Sequence, residues 1–272
     1  MHDFGRDLFI FPRIAVESSK AGSENGWQAG LITSKFGGIS ATPDNDYETD
    51  LANAQRSLES SADFTRGGAQ AAPDHDATEP ERAARIEAEQ QRLVEWAEAN
   101  GKLGGSVPPE DASGGEHRVH FDERSGRYLK ATIPDKQKGY GIALGSFTHG
   151  ATPSEYLDRL ALQNRIFADD IRLERVVLKG GKPVIVTSQP AIAGTLPTQS
   201  AIDETMTAKG FEQLTSGAYY DAKEGLLIFD LFPKNALQAA DGNIYPFDPV
   251  IQRITPDFAD FLRQHPDRIH NR

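Results

Sequence analysis

Residues 226–248 constrain this chain more than any other stretch. The apolar run Leu226-Leu227-Ile228-Phe229 delivers Asp230 to the start of a loop, and Asn235 follows five positions later. Ala236-Leu237 leads into Asp241-Gly242-Asn243, a turn by composition. A second apolar run, Ile244-Tyr245-Pro246-Phe247, then delivers Asp248. Short strand-forming runs around such a turn predict a hairpin. The pattern is two carboxylates and one amide, each at a strand or loop edge.

This arrangement resembles the catalytic segment of the protein-kinase-like fold. There a D-L-x-P-x-N loop is followed, one hairpin later, by a metal-binding aspartate. Asp230-Leu231-Phe232-Pro233-Lys234-Asn235 keeps the Asp-to-Asn spacing, and Asp248 stands in the metal position. The His-Arg that usually precedes the first aspartate is replaced by Ile228-Phe229, and the Phe-Gly after the second by Pro249-Val250. The resemblance implies ATP and Mg²⁺ as cofactors. Hard Mg²⁺ takes oxygen ligands, one or two carboxylates plus phosphate oxygens. Asp248 and the Asn235 side-chain oxygen would supply them, and Asp230 would orient the attacking hydroxyl or accept its proton.

Further signals extend the resemblance upstream. Residues 116–122 and 127–132 read as two strands joined by Glu123-Arg124-Ser125-Gly126. The second carries Lys130, in the place of the kinase strand lysine that holds nucleotide phosphates. A helix starting at Pro153-Ser154-Glu155 occupies the position of the helix that orients this lysine; Glu155 and Gln163 are alternative partners for it. Residues 171–178 and 183–187 predict a hairpin around Lys179-Gly180-Gly181-Lys182, and residues 188–194 then correspond to the nucleotide hinge. Gln163 and Gln189 therefore join Lys130 as nucleotide-binding candidates. A helix over 197–209 ends at Gly210. Residues 211–220 read as irregular, and 257–264 as a short helix.

The glycine run Gly139-Tyr140-Gly141-Ile142-Ala143-Leu144-Gly145 does not lie in a β-α-β unit, so it reads as a mobile lid and not as a dinucleotide fingerprint. Before this core, Thr78-Glu79-Pro80-Glu81 opens a helix with a capping box, and Ile86, Leu93, Val94 and Ala97 recur at helical spacing with Trp96 as its heaviest anchor. Residues 1–75 read as mostly disordered, because Ser-, Gly-, Asn- and Asp-rich segments bury too little apolar surface to offset chain entropy. A local helix around Tyr47 to Leu58 is the exception. Asp74-His75-Asp76 reads as solvated linker charge. The expected organisation is a disordered segment over 1–75, a leading helix over 76–103 packed on the domain, and a kinase-like domain over 104–272.

Full protein kinases continue after the metal aspartate with an activation segment and a large helical subdomain, and both are missing here. The minimal lower lobe, with Gly114-Gly115-Glu116-His117, residues 156–164, Thr187-Ser188-Gln189-Pro190 and Asp248-Pro249-Val250-Ile251-Gln252, is similar to the kinase-like domain of bacterial and phage polyvalent proteins. The resemblance implies an α+β fold with an antiparallel-sheet N-lobe and a reduced helical C-lobe. It also implies a protein of mobile elements, a nucleotide partner and a protein substrate.

Composition narrows the function classes. A net charge of −11 argues against direct nucleic-acid binding through a global basic field. The absence of cysteine excludes disulfides and thiolate metal sites. Apolar runs are too short to span a bilayer, and the first residues lack the blocks of a signal peptide, so a cytoplasmic protein is expected. Two functions compete: an ATP- and Mg²⁺-dependent phosphotransferase, and a pseudokinase or nucleotide-binding interaction module without turnover. A phage-associated structural protein is a third.

Overall fold

The computed structural model describes residues 46–58, 78–134, 139–144 and 149–270. The first elements are α1 (Asp46–Leu58), α2 (Glu79–Ala99), β1 (Ala112–Ser113), β2 (His117–Asp122) and β3 (Arg127–Thr132). Next come β4 (Ile142–Ala143), β5 (His149–Gly150), α3 (Pro153–Phe167), β6 (Arg172–Lys179) and β7 (Lys182–Pro190). The second half holds α4 (Gln199–Ala208), β8 (Glu212–Thr215), β9 (Ala218–Asp221), β10 (Leu226–Phe229), β11 (Ala236–Gln238) and β12 (Ile244–Pro246). It ends with β13 (Val250–Arg253), α5 (Pro256–Gln264) and α6 (Asp267–His270).

The upper sheet is antiparallel, in the order β1-β2-β3-β7-β6. Its two hairpins follow from turn chemistry. Gly180 and Gly181 both have positive φ, 58° and 78°, as a two-residue turn between right-twisted strands requires. In the first hairpin the Asp122 carboxylate accepts from Ser125 Oγ (2.6 Å) and the Asp122 carbonyl from Gly126 N (2.9 Å). The register sets Lys130 opposite Val119 on one side and Thr187 on the other.

A helical layer covers this sheet. Thr78 and Glu81 start α2: the Glu81 carboxylate accepts from Thr78 N at 2.8 Å and Pro80 lies in the first turn. Leu93, Trp96 and Ala97 are buried with Tyr156, Leu157, Leu160, Leu173 and Ile185. Two buried charges fix α2 on the start of α3. Arg82 pairs with Glu155 (2.7 Å) and donates to Gly150 O (2.7 Å). Glu89 accepts from Ser154 N at 2.8 Å, taking up an amide that the first turn of α3 leaves open.

The helix around Tyr47 to Leu58 forms as α1, and it does more than the composition of residues 1–75 suggests. Leu51, Ala54 and Leu58 are fully buried in the core shared by α2, α3, β6 and β7. Lys102 Nζ pairs with Asp50 at 2.7 Å, and Arg92 Nε donates to Leu58 O at 2.7 Å. The rest of 1–75, Asp74-His75-Asp76 included, lies outside the described residues.

The lower part holds a second antiparallel sheet, β13-β10-β9-β8. Residues 211–220, expected to be irregular, form the β8–β9 hairpin: Gly217 takes φ 73° at the turn, and Ala218, Tyr219 and Tyr220 are buried against β10. Ile202 and Met206 of α4 pack on it with Phe211, Tyr219, Ile228 and Ile251. Helix α3 joins the two parts. Tyr156, Leu157 and Leu160 enter the upper core, while Leu162 and Phe167 enter the lower one. The α+β class with antiparallel sheets and few lower-lobe helices is the one expected.

Candidate active site

Strand β3 delivers Lys130 to the junction of the two parts. The side chain is 7% exposed, and its Nζ donates to Phe247 O at 2.7 Å and to Asp248 Oδ1 at 3.0 Å. A buried ammonium is tolerated only when paired and hydrogen-bonded, and both conditions hold. Asp248 lies two residues after the end of β12. Burial disfavours its charge, but Lys130, His117 and Arg159 outweigh that and hold the carboxyl far below the usual range. His117, buried on β2, brings Nδ1 to 3.8 Å from Asp248 Oδ1, beyond hydrogen-bond length, while its Nε2 meets Tyr156 OH at 2.9 Å. Burial pushes the Tyr156 phenol up, so that it stays a neutral partner to the imidazole. Arg159, buried on α3, pairs with Glu116 at 2.9 Å.

Asp230 leaves β10 with φ 63°, one of two non-glycine residues with positive φ among the described residues. A non-glycine residue in this region costs of order 1–3 kcal/mol and is kept where its surroundings over-determine it. Three bonds do so here. Leu231 N donates to Gly217 O (3.1 Å), Phe232 N to Asp230 O (3.2 Å), and Asn235 Nδ2 to Asp230 O (2.9 Å). The Asn235 carbonyl then accepts from Phe247 N at 2.8 Å. Asn235 thus links the loop of Asp230 to the segment carrying Asp248, and the four residues Lys130, Asp230, Asn235 and Asp248 share one neighbourhood.

Gln163 and Gln189 also reach this neighbourhood, but they bond protein groups. Gln163 Nε2 donates to Asp169 Oδ2 and to Pro246 O, both at 2.9 Å. Gln189 Nε2 donates to the same Asp169 oxygen at 2.6 Å and lies 3.5 Å from Pro246 O. Strand β7 runs on through Pro190, in register with Arg127, so Gln189 belongs to the sheet and the connection to the lower part starts after it. Of the two candidate partners for Lys130, Glu155 is taken by Arg82 and the helix start, and Gln163 by Asp169. The carboxylate that Lys130 meets is Asp248.

The glycine run is docked over 139–144. Tyr140 is fully buried and donates to Pro183 O at 2.7 Å, β4 pairs with β5, and Leu144 exchanges two hydrogen bonds with the Gln252 amide (2.7 and 2.8 Å). A Cβ on Gly139 would stand 2.3 Å from Ala151 O, so glycine is required by the close approach. Such anchoring replaces the mobile lid expected over these residues.

His117, Tyr156, Arg159 and Asp169 are site residues that the sequence reading did not single out. For Asp169 a local signal existed. It follows α3 directly, after Ala168 with φ 52°, and an acid at such an exit bonds its surroundings or caps the turn.

No cluster of three or more His, Asp or Glu side chains suited to a metal occurs among the described residues. A Mg²⁺ bound together with a polyphosphate does not need one, since one or two protein oxygens complete its shell with phosphate and water. A carboxylate held ionised, Asp248, and an amide whose nitrogen is engaged, Asn235, with its backbone carbonyl bonded to Phe247 N, fit that donor set.

No curated protein and no solved structure matches the chain. A family model described as a serine/threonine/tyrosine kinase found in polyvalent proteins matches residues 86–255, more than half of the 272 residues. The match runs from within α2 to just past β13 and contains Lys130, Asp230, Asn235 and Asp248. With the two-part antiparallel fold, it establishes that this chain belongs to the kinase-like family of polyvalent proteins.

Proposed function

We propose that the chain is an ATP- and Mg²⁺-dependent phosphotransferase acting on a hydroxyl of a protein acceptor. The observation that carries this reading is the Lys130–Asp248 ion pair, joined through Phe247 and Asn235 to the loop of Asp230. Lys130 is a positive charge for phosphate oxygens. Asp248 and Asn235 Oδ1 would hold Mg²⁺, which when bound neutralises charge on the β- and γ-phosphates. Asp230, whose backbone carbonyl accepts from Asn235 Nδ2, orients the acceptor hydroxyl and takes its proton. Gln163 and Gln189 serve nucleotide binding from behind Asp248 and not by direct contact. In this reading residues 104–272 are the catalytic unit, α2 is its brace, and the protein works in the cytoplasm. No helix among the described residues is long and apolar enough to cross a membrane.

A second reading, a nucleotide-binding module without turnover, draws on one observation: two of the three ammonium donors of Lys130 are already committed to Phe247 O and Asp248, which leaves one for a phosphate oxygen. Two measurements on wild type separate the readings. A melting temperature raised by ATP, and raised further when Mg²⁺ is present, supports the nucleotide site. Transfer of labelled γ-phosphate to protein supports the enzyme; binding without transfer to any acceptor supports the module. No effect of nucleotide at any concentration contradicts both.

A further inference from the structure

The triad Gln163–Asp169–Gln189 is an expensive construction for a place outside the reacting groups. All three side chains are buried, from α3, the α3–β6 connection and β7. Asp169 Oδ2 accepts from both glutamines and Oδ1 accepts from Asp170 N at 3.0 Å, so both oxygens act as acceptors. Burial pushes its carboxyl up, and the hydrogen bonds and the charge of Lys130 only partly offset this. A buried acid is weak evidence for stability, because desolvation offsets what its bonds contribute. A single amide would satisfy Pro246 O, yet two glutamines locked by one carboxylate are aimed at it.

Pro246 O opens the segment that carries Asp248. Its neighbours are fixed as well: Phe247 N donates to Asn235 O (2.8 Å) and Phe247 O accepts from Lys130 (2.7 Å). Every backbone hydrogen-bonding group from Pro246 O to Phe247 O therefore has a partner from a different element. We infer that Asp169, acting through Gln163 and Gln189, is a positioning residue that fixes residues 246–248 so that Asp248 is presented to a metal–nucleotide complex. The inference rests on the nucleotide reading above. Groups that orient a metal ligand through hydrogen bonds typically change metal affinity by about 10- to 100-fold when removed.

Asp169→Asn tests it, because asparagine has one acceptor oxygen where two are used. The amide NH₂ must then face either the Asp170 N–H or the glutamine donors. Gln189→Leu is the milder variant, removing one of the two amides while Gln163 still bonds Asp169. For each, ATP affinity is titrated with and without Mg²⁺, alongside the melting temperature of the free protein. Asp169→Asn is expected to weaken the Mg²⁺-dependent binding by about 10- to 100-fold and to leave the Mg²⁺-free binding, which depends on Lys130, within about twofold. Gln189→Leu is expected to lie between it and wild type. A lower melting temperature with an unchanged Mg²⁺-dependent gain in affinity would mean that the triad is only structural, and overturns the inference. If Asp169→Asn does not fold, Gln189→Leu with a wild-type Mg²⁺ gain overturns it equally. Wild type that binds no Mg²⁺–ATP removes the nucleotide reading and the inference with it, a failure visible before any variant is made.

Discussion

The two ends of the site are held in different ways. At the Lys130 end, charged side chains set the geometry: Lys130 and Asp248 are paired, with Arg159 and the His117 ring behind them. At the Asp230 end, the backbone sets it. The loop is pinned by bonds of Leu231 N, Phe232 N and Asn235 Nδ2 to carbonyls, and Asp230 is half-buried in a left-handed conformation. At the first end the buried Lys130 and Arg159 pair with the part-buried Asp248 and Glu116. That suits a constant, highly charged partner, such as the phosphates and metal of a nucleotide. The second end fixes where the Asp230 carboxylate starts.

If the contrast is functional, substitutions at the two ends separate in their effects. The largest is expected from Asp230→Asn. Losing a positioned acid–base group lowers transfer by about 10²- to 10⁴-fold, while the ATP-induced rise in melting temperature stays as in wild type. Labelled-phosphate transfer and a thermal shift on one preparation read both. A rate within twofold of wild type would place Asp230 outside the chemistry.

Next in size is a change that touches neither end. Leu51 of α1 is fully buried in the upper core. Leu51→Ala should cost about 2–5 kcal/mol of stability, read by chemical denaturation. Deleting residues 1–45 should cost little, whereas deleting 1–75 removes α1 and should lower stability at least as much as Leu51→Ala. Equal stability of the two truncations would show that α1 does not brace the upper sheet. Both ends of the site should lose affinity or rate only through unfolding, which keeps the comparison between them clean.

The smallest effect is expected at the Arg82–Glu155 brace. Burial opposes the charge of Glu155, but Arg82 and the Thr152 amide hold its carboxyl below the ordinary glutamate value of 4.5. A depressed carboxyl contributes stability that is fully present above that value and is lost as pH falls below it. Glu155→Gln should therefore cost about 1–3 kcal/mol at pH 7, and the gap from wild type should narrow below about pH 4.5. A gap that does not change with pH would mean the charge of Glu155 is not what matters there.

How much of this was readable beforehand depended on distance along the chain. Asp230 and Asn235 lie on one loop and Asp248 one hairpin later, so their spacing carried the site. The strand that carries Lys130 was legible, as were the helix starts at Thr78, from its capping box, and at Pro153. His117, and Asp169 beyond the local signal of its turn, were not legible, because their partners come from other elements: Asp169 is defined by Gln189, twenty positions away, and His117 by Tyr156 and Asp248. The choice between Glu155 and Gln163 for Lys130 failed for the same reason. Arg82, on a helix 73 residues earlier, engages Glu155, and Asp169 engages Gln163. Helix α1 was legible as a local helix, but its three buried apolar positions in a polar surrounding were too weak a signal to show that it packs into the upper core. The β8–β9 hairpin was missed because its stability comes from pairing with β10 rather than from its own short strands.

The claim that most needs testing is that the Lys130–Asp248 pair is a nucleotide and metal site. Calorimetric titration of ATP into wild type, Asp248→Asn and Lys130→Ala, each with and without Mg²⁺, tests it most directly. Wild type should bind more tightly with Mg²⁺. Asp248→Asn should lose that gain, since it removes a carboxylate from the metal, and keep its Mg²⁺-free affinity. Lys130→Ala should weaken both by about tenfold, the loss of one phosphate contact worth about 1.4 kcal/mol. Identical affinities for all three proteins, with or without metal, would contradict the account: the pair would then be a structural ion pair between two lobes.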